Sequence, residues 1–145
     1  MKALDAELLT SILEGDPQTK DLFRKLRGAE VAATELALLE VSLRAEEAPV
    51  APRRGRRTAA ERLRRKLTAL PIDGRAVVEA ARHASGGLPR GESLLRLAEF
   101  GALEAYGCTE LFTAARAAPG GKWRFRVIHV ETTHTKKRKR ADIHS

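Results

Sequence analysis

The stretch VAATELALLEV, residues 31–41, decides the fold. Residues 30–33 are short and mostly small and apolar, the mark of a buried strand. From Thr34 to about Glu47, Leu36, Leu39 and Leu43 recur at helical spacing. A strand that passes at once into a helix is the unit from which parallel sheets are built.

The same unit repeats on both sides. Toward the N-terminus, Met1–Leu4 reads as a strand ended by Asp5, and Leu8, Leu9, Ile12 and Leu13 trace a helix that Gly15 stops. Asp16 and Pro17 then supply an N-cap and a first helical residue for a second helix through Arg27. Its inward residues are Leu22, Phe23 and Leu26, and Gly28 closes it.

Toward the C-terminus, Pro49 and Pro52 end the helix that began at Thr34, and Pro49–Gly55 has the composition of a linker. Thr58 is placed to cap a basic helix from Ala59 to about Leu67. Leu67–Ile72 predicts a third strand, Asp73 precedes a helix over Arg75–Ser85, and Gly86 and Gly87 break it. Residues 92–106 predict a helix that is apolar on most sides and so lies deep in the domain. Thr109–Thr113 is a fourth strand, and Trp123, Phe125 and Val127 alternate with Arg124 and Arg126 as in a half-exposed strand.

The predicted class is therefore α/β: three layers, a mainly parallel sheet flanked by helices, and a basic C-terminal tail. Residues 1–130 form the domain. Residues 131–145 form a tail, disordered alone and ordered on RNA. In such sheets the carboxyl ends of the strands face the crevice where sites form, and Asp5 stands at such an end.

Charge is unevenly distributed. Residues 51–66 carry eight Lys/Arg against one Glu, and residues 121–145 carry eight Lys/Arg against two acids, while the rest of the chain is mildly acidic. The formal net charge of +8 thus comes from two short segments, an electrostatic footprint for a polyanion. The cations expected to grip nucleic acid are Arg53, Arg54, Arg56, Arg57, Arg64, Arg65 and Lys66 in the first segment. In the second they are Lys122, Arg124, Arg126, Lys136, Lys137, Arg138, Lys139 and Arg140. Arg62 adds to the first run; Lys136–Arg140 also matches an unspecific nuclear-import pattern.

Other function classes are disfavoured. No run of about 18 apolar residues suits a membrane span, and acids come too early for a signal peptide, so a cytoplasmic location is expected. Cys108 is the only cysteine, which excludes an internal disulfide and zinc sites of the paired-cysteine type. His83, His129, His134 and His144 lack ligand spacing, and no Gly-rich phosphate loop argues for a nucleotide cofactor. The absence of Asn and the single Gln, Gln18, together with many charges, point to a thermophilic source, with a GC-rich genome as the alternative origin of the bias.

Leu4-Asp5 before a Leu-rich helix, VAATELALLEV, LPIDGRAVVEAARHA (residues 70–84) and RGESLLRLAEFGALEAYGCTELFT (residues 90–113) follow one order and spacing. That plan resembles the PIN domain, especially toxin-type ribonucleases of the VapC group, over residues 1 to about 130. The resemblance implies three or four carboxylates at the carboxyl edge of the sheet, holding Mg²⁺ or Mn²⁺ to activate water and neutralise the phosphate. Asp5 matches the first acid and Glu40 the second. The third position falls on Leu95 or Arg96 and the fourth on Ala115, while Ala6 replaces a small hydroxyl residue that often follows the first Asp.

Half of the implied site is thus missing, as in a degenerate PIN-like domain. Glu92 and Glu99 lie within about one turn of the absent third acid, and the Arg96 guanidinium is positioned to pair with Asp5 and Glu40 in place of a metal. The expectation that follows is a non-catalytic RNA-binding protein without cofactor, seated on a ribosome and gripping rRNA phosphates through its basic segments. Two alternatives stand beside it. One is a Mg²⁺- or Mn²⁺-dependent endoribonuclease of the VapC toxin type using Asp5, Glu40 and Glu99 or Glu92; the other is an interaction module that forms homodimers or binds an antitoxin.

Overall fold

The computed structural model describes residues 1–26, 28–47, 50–86, 91–114 and 118–132, the side chains of 50–53 and 92 excepted. Five strands form one sheet: β1 (Lys2–Leu4), β2 (Val31–Thr34), β3 (Thr68–Leu70), β4 (Glu110–Thr113) and β5 (Arg126–His129). Their order is β3-β2-β1-β4-β5, and every neighbouring pair is parallel. Lys2 pairs with Val31 and Glu110, and Thr113 with His129. The helices are α1 (Ala6–Leu13), α2 (Pro17–Lys25), α3 (Glu35–Glu46), α4 (Val50–Arg65), α5 (Gly74–His83) and α6 (Glu92–Ala105).

Local chemistry sets these boundaries. Asp5, Asp16, Thr34 and Asp73 each accept a backbone N–H from the first turn that follows, Leu8, Gln18, Ala37 and Ala76 respectively. Pro17 is the first residue of α2, where its missing N–H costs nothing.

Because successive strand residues point to opposite faces, each central strand feeds two cores. Leu4, Ala33 and Phe112 pack with Leu8, Leu9, Ala37, Val41 and Leu63 on one face; Ala3, Ala32 and Leu111 pack with Phe100, Leu103 and Phe125 on the other. Helices α1 to α4 thus cover one side, and α6 with its neighbour α5 covers the other, giving the expected three layers. Phe100 meets the rings of Trp123 and Phe125 edge-on at 5.4 and 5.2 Å, so these aromatics belong to the core.

Three expectations change. Pro49–Gly55 is not a free linker, because α4 already begins at Val50; Pro52 falls in its first turn, where proline needs no N–H partner. Thr58 does not cap that helix: its hydroxyl donates to the Arg54 carbonyl one turn back, inside it. The last strand starts at Arg126, so Trp123 and Phe125 pack against the sheet from the loop before β5 and only Val127 does so from the strand.

Helix α6 is also buried only in part. Phe100, Ala102, Leu103 and Glu104 lie inside, whereas Leu94 and Leu95 at its start are about half exposed. The contact with α5 is closest at Gly101, where an added Cβ would stand 2.1 Å from the Ala76 carbonyl oxygen and 2.7 Å from the Ala80 Cβ. Since the first of these neighbours is backbone, the helices themselves must separate. Gly101→Ala is expected to lower unfolding stability by about 1–3 kcal/mol, the usual range for overpacking, measured by denaturant titration; an unchanged midpoint would show that α5 and α6 yield freely.

Candidate active site at the carboxyl edge of the sheet

The carboxyl ends of β1, β2 and β4 place Asp5, Thr34 and Thr113 along one edge. In front of them opens a cleft of about 800 Å³, whose lining includes Asp5, Glu40, Arg44, Arg96 and Glu99.

Asp5 is 2% exposed and fully committed. One carboxylate oxygen accepts the Leu8 N–H at 3.0 Å, as the cap of α1. The other accepts the Thr113 hydroxyl and faces Arg96 Nη2 at 3.4 Å. Arg96 Nη2 also donates to Thr113 Oγ1 at 3.1 Å, and the guanidinium lies 5.3 Å from the centre of the Phe100 ring. Asp5, Thr113 and Arg96 therefore form one closed cluster joining β1, β4 and α6.

A second threonine serves a second acid. Thr34, besides capping α3, donates its hydroxyl to Glu99 Oε2 at 2.8 Å. Burial pushes the Glu99 carboxyl above its ordinary range; Asp5 and Glu40 add to the rise, while the Thr34 hydrogen bond and Arg96 oppose it. Glu40 sits on α3, half exposed, with Arg44 at 3.6 Å one turn on.

Asp5, Glu40, Glu99 and Arg96 lie on the same cleft; of the expected pairing of Arg96 with Asp5 and Glu40 only the Asp5 contact forms, Glu40 pairing with Arg44 instead. Leu95 also lines the cleft, and Ala6 offers it no hydroxyl. Glu92 opens α6, its side chain lying outside the described residues, as does Ala115. The roles of Thr34 and Thr113 carry no sequence signal beyond their position at strand ends, because their partners lie 65 and 108 residues away.

The donor set does not fit a divalent ion in this arrangement. Carboxylates are the right chemistry for Mg²⁺ or Mn²⁺. Yet both Asp5 oxygens already have partners, a guanidinium stands beside them, and among the described residues no three His, Cys, Asp or Glu side chains gather closely enough to hold a metal.

The described parts of the basic segments lie elsewhere. None of their described cations lines the cleft. Arg54, Arg56, Arg57, Arg62, Arg64 and Arg65 ride on α4, Arg53 is in its first turns, and Lys66 follows it. Arg57 forms a forked pair with Glu46, and Arg64 reaches Glu61 at 3.4 Å. Arg124 binds Glu104, a buried carboxylate, and Arg126 meets Glu110 at 3.1 Å. The arginines before Thr58 are consequently helical, not a loose arm. Lys122 lies in the loop before β5, and Lys136, Lys137, Arg138, Lys139 and Arg140 lie outside the described residues, as does the tail they belong to.

Among solved structures, VapBC2 from Rickettsia felis bound to a DNA fragment from its promoter superposes with a TM-score of 0.69 at 10% identity, covering 90% of this chain and 98% of that one. The fold is PIN-like, of the VapC type. DNA-bound VapBC from Salmonella typhimurium shares this PIN-like fold at a TM-score of 0.65 and 19% identity, over 88% and 96% of the two chains. FitAB bound to a DNA fragment does so at 0.71 and 13%, over 92% and 100%. No family model and no curated protein matches the sequence. No helix among the described residues is long and apolar enough to cross a membrane.

These matches overturn the ribosomal reading. The neighbours are VapBC proteins, a family described for one of them as toxin–antitoxin systems, together with FitAB bound to DNA, and neither a ribosomal protein nor an rRNA-binding one fits that set. The physical source of the error is that basic runs report attraction for polyanions without naming one. Here several of those cations also have carboxylate partners within the domain.

The raised Glu99 carboxyl has a stability consequence with a definite sign. A folded state that holds this proton more tightly than the unfolded chain is favoured at low pH, and that advantage is lost as pH rises above the ordinary carboxyl value of 4.5. Glu99→Gln keeps an acceptor for Thr34 and removes the charge. It is expected to melt higher than the wild type at neutral pH, the difference closing below pH 4.5; a gap that widens in acid would reverse the assignment.

Proposed function

We propose that this chain is a toxin-type ribonuclease of the VapC kind, the toxin half of a toxin–antitoxin pair. The observation that carries the reading is the extent of the structural match. The superposition runs over about nine-tenths of this chain and nearly all of its VapBC neighbours, one of them described as a toxin–antitoxin system, and the cleft lies at the carboxyl edge of the sheet. RNA is the substrate class, and Asp5, Glu40 and Glu99 are the carboxylates that would carry the reaction.

The chain's own residues divide the work in the following way. Asp5 is the fixed point, held from three sides, and Thr34 orients Glu99. Glu40 is the most accessible carboxylate of the three, with Arg44 beside it. A phosphodiester entering the cleft meets Arg44 and Arg96 as its cations.

An antitoxin partner is supported by a separate feature. Leu39, Leu43 and Leu95 line the cleft yet are 55%, 55% and 52% exposed, an apolar surface beside charged groups that suits a protein segment better than an RNA backbone.

The enzyme reading is tested by incubating purified protein with long single-stranded RNA and mapping the fragments. Wild type should cut internally, and Asp5→Asn, which keeps a good helix cap, should cut at least about a hundredfold more slowly. Intact RNA under all metal conditions, or equal cutting by the variant, would sink it. The partner reading predicts that Leu39→Asp with Leu43→Asp leaves folding intact but abolishes capture by a cognate antitoxin; undiminished capture places the antitoxin elsewhere.

A further inference from the structure

The ribonuclease reading and the donor geometry meet at a single residue. Arg96 is, with Leu95, one of the two residues on which the third acid of the family plan falls, and its Nη2 touches both Asp5 and Thr113. We infer that Arg96 is the resident cation of the cleft: its guanidinium takes the place of a divalent ion and seats an RNA phosphodiester without metal. The ligand class rests on the proposed function; the exclusion of the ion does not.

Three observations support the assignment. The guanidinium is held rigidly, by Asp5 and Thr113 at one end and by the face of Phe100 on its flank, so little ordering remains to be done when a ligand arrives. Among the described residues its hydrogen bonds go to Asp5 and Thr113 and both use Nη2, which leaves the donors of Nε and Nη1 for a ligand, and its side chain is 21% exposed at the cleft wall. A planar guanidinium with two adjacent donors also matches the oxygens of a phosphodiester, a role usually divided between metal and arginine in phosphate sites.

A divalent ion, conversely, would have to displace a cation that is part of the chain and already hydrogen-bonded in place. It would also have to break the Thr113 hydrogen bond to recover the Asp5 oxygen. The two cations compete for one seat, and the covalently attached one is always present.

The test uses the full chain and reads binding, so it stands apart from cleavage. Calorimetric titration of Mn²⁺ into wild type should show no site that depends on Asp5. Arg96→Asp, which restores the acid of the family plan beside Asp5 and Glu99, should gain one. In parallel, a short 2′-O-methyl RNA, which resists cutting, should bind wild type in EDTA, and Arg96→Gln should weaken that binding about tenfold or more. Arg96→Gln avoids placing a new charge beside Asp5 and keeps the experiment decisive if Arg96→Asp fails to fold. Mn²⁺ binding by wild type that Asp5→Asn abolishes would overturn the inference, as would Arg96→Gln holding the RNA as tightly as wild type. If Arg96-dependent binding in EDTA is found but no RNA is ever cut, the ribonuclease reading fails and the resident cation stands.

Discussion

The carboxylate of Asp5, buried and shared among a helix cap, a threonine and an arginine, is the constraint on which both the fold and the cleft depend. Removing a carboxylate from water costs several kcal/mol, and only well-placed donors repay it. Each donor here comes from a different element: Leu8 from α1, Thr113 from β4 and Arg96 from α6. The buried side chain therefore dictates where β1 ends, how α1 departs from it, and how the first half of α6 meets the sheet edge. Loss of Arg96 would leave an anion facing fewer partners, so the same contact that shapes the cleft also protects the core beneath it.

The parallel order β3-β2-β1-β4-β5 explains why these groups meet at all. Every strand runs the same way, so residues that end strands far apart in sequence share one edge. Thr34 and Thr113 both sit there, and each hydroxyl fixes one carboxylate, Glu99 and Asp5 respectively. A side chain with one rotatable hydroxyl suits this place well. It continues the strand through its β-branch and still serves as donor to an acid and, at Thr113, acceptor from a guanidinium.

Much of this architecture was legible in the sequence, for identifiable reasons. Short apolar strands followed by capped helices at Asp5, Asp16 and Thr34 gave local signals that tertiary packing did not override. The Arg96–Asp5 pair was legible through spacing to the family plan, because helix α6 is unbroken and its register is fixed. The start of α4 was not: prolines usually signal a stop, and only their position in a first turn makes Pro52 compatible with a helix. The bond between Thr34 and Glu99 was hidden for another reason, since nothing in the pattern around either residue encodes a partner on a different element.

The role of charge was also only half readable. The two basic segments dominate the formal balance, yet none of their described cations lines the cleft, where the described charges are the carboxylates of Asp5, Glu7, Glu40 and Glu99 and the guanidiniums of Arg44 and Arg96. On that count alone a phosphate should be repelled. The geometry changes the sum: Arg96 faces Asp5, Arg44 faces Glu40, and burial favours the protonated form of Glu99. A site meant to draw in a divalent ion leaves its carboxylates ionised and uncompensated, because their mutual repulsion is what the ion relieves. Among Asp5, Glu40 and Glu99 that repulsion is already relieved by the chain itself, which weakens the electrostatic drive for capturing a metal there before any metal arrives.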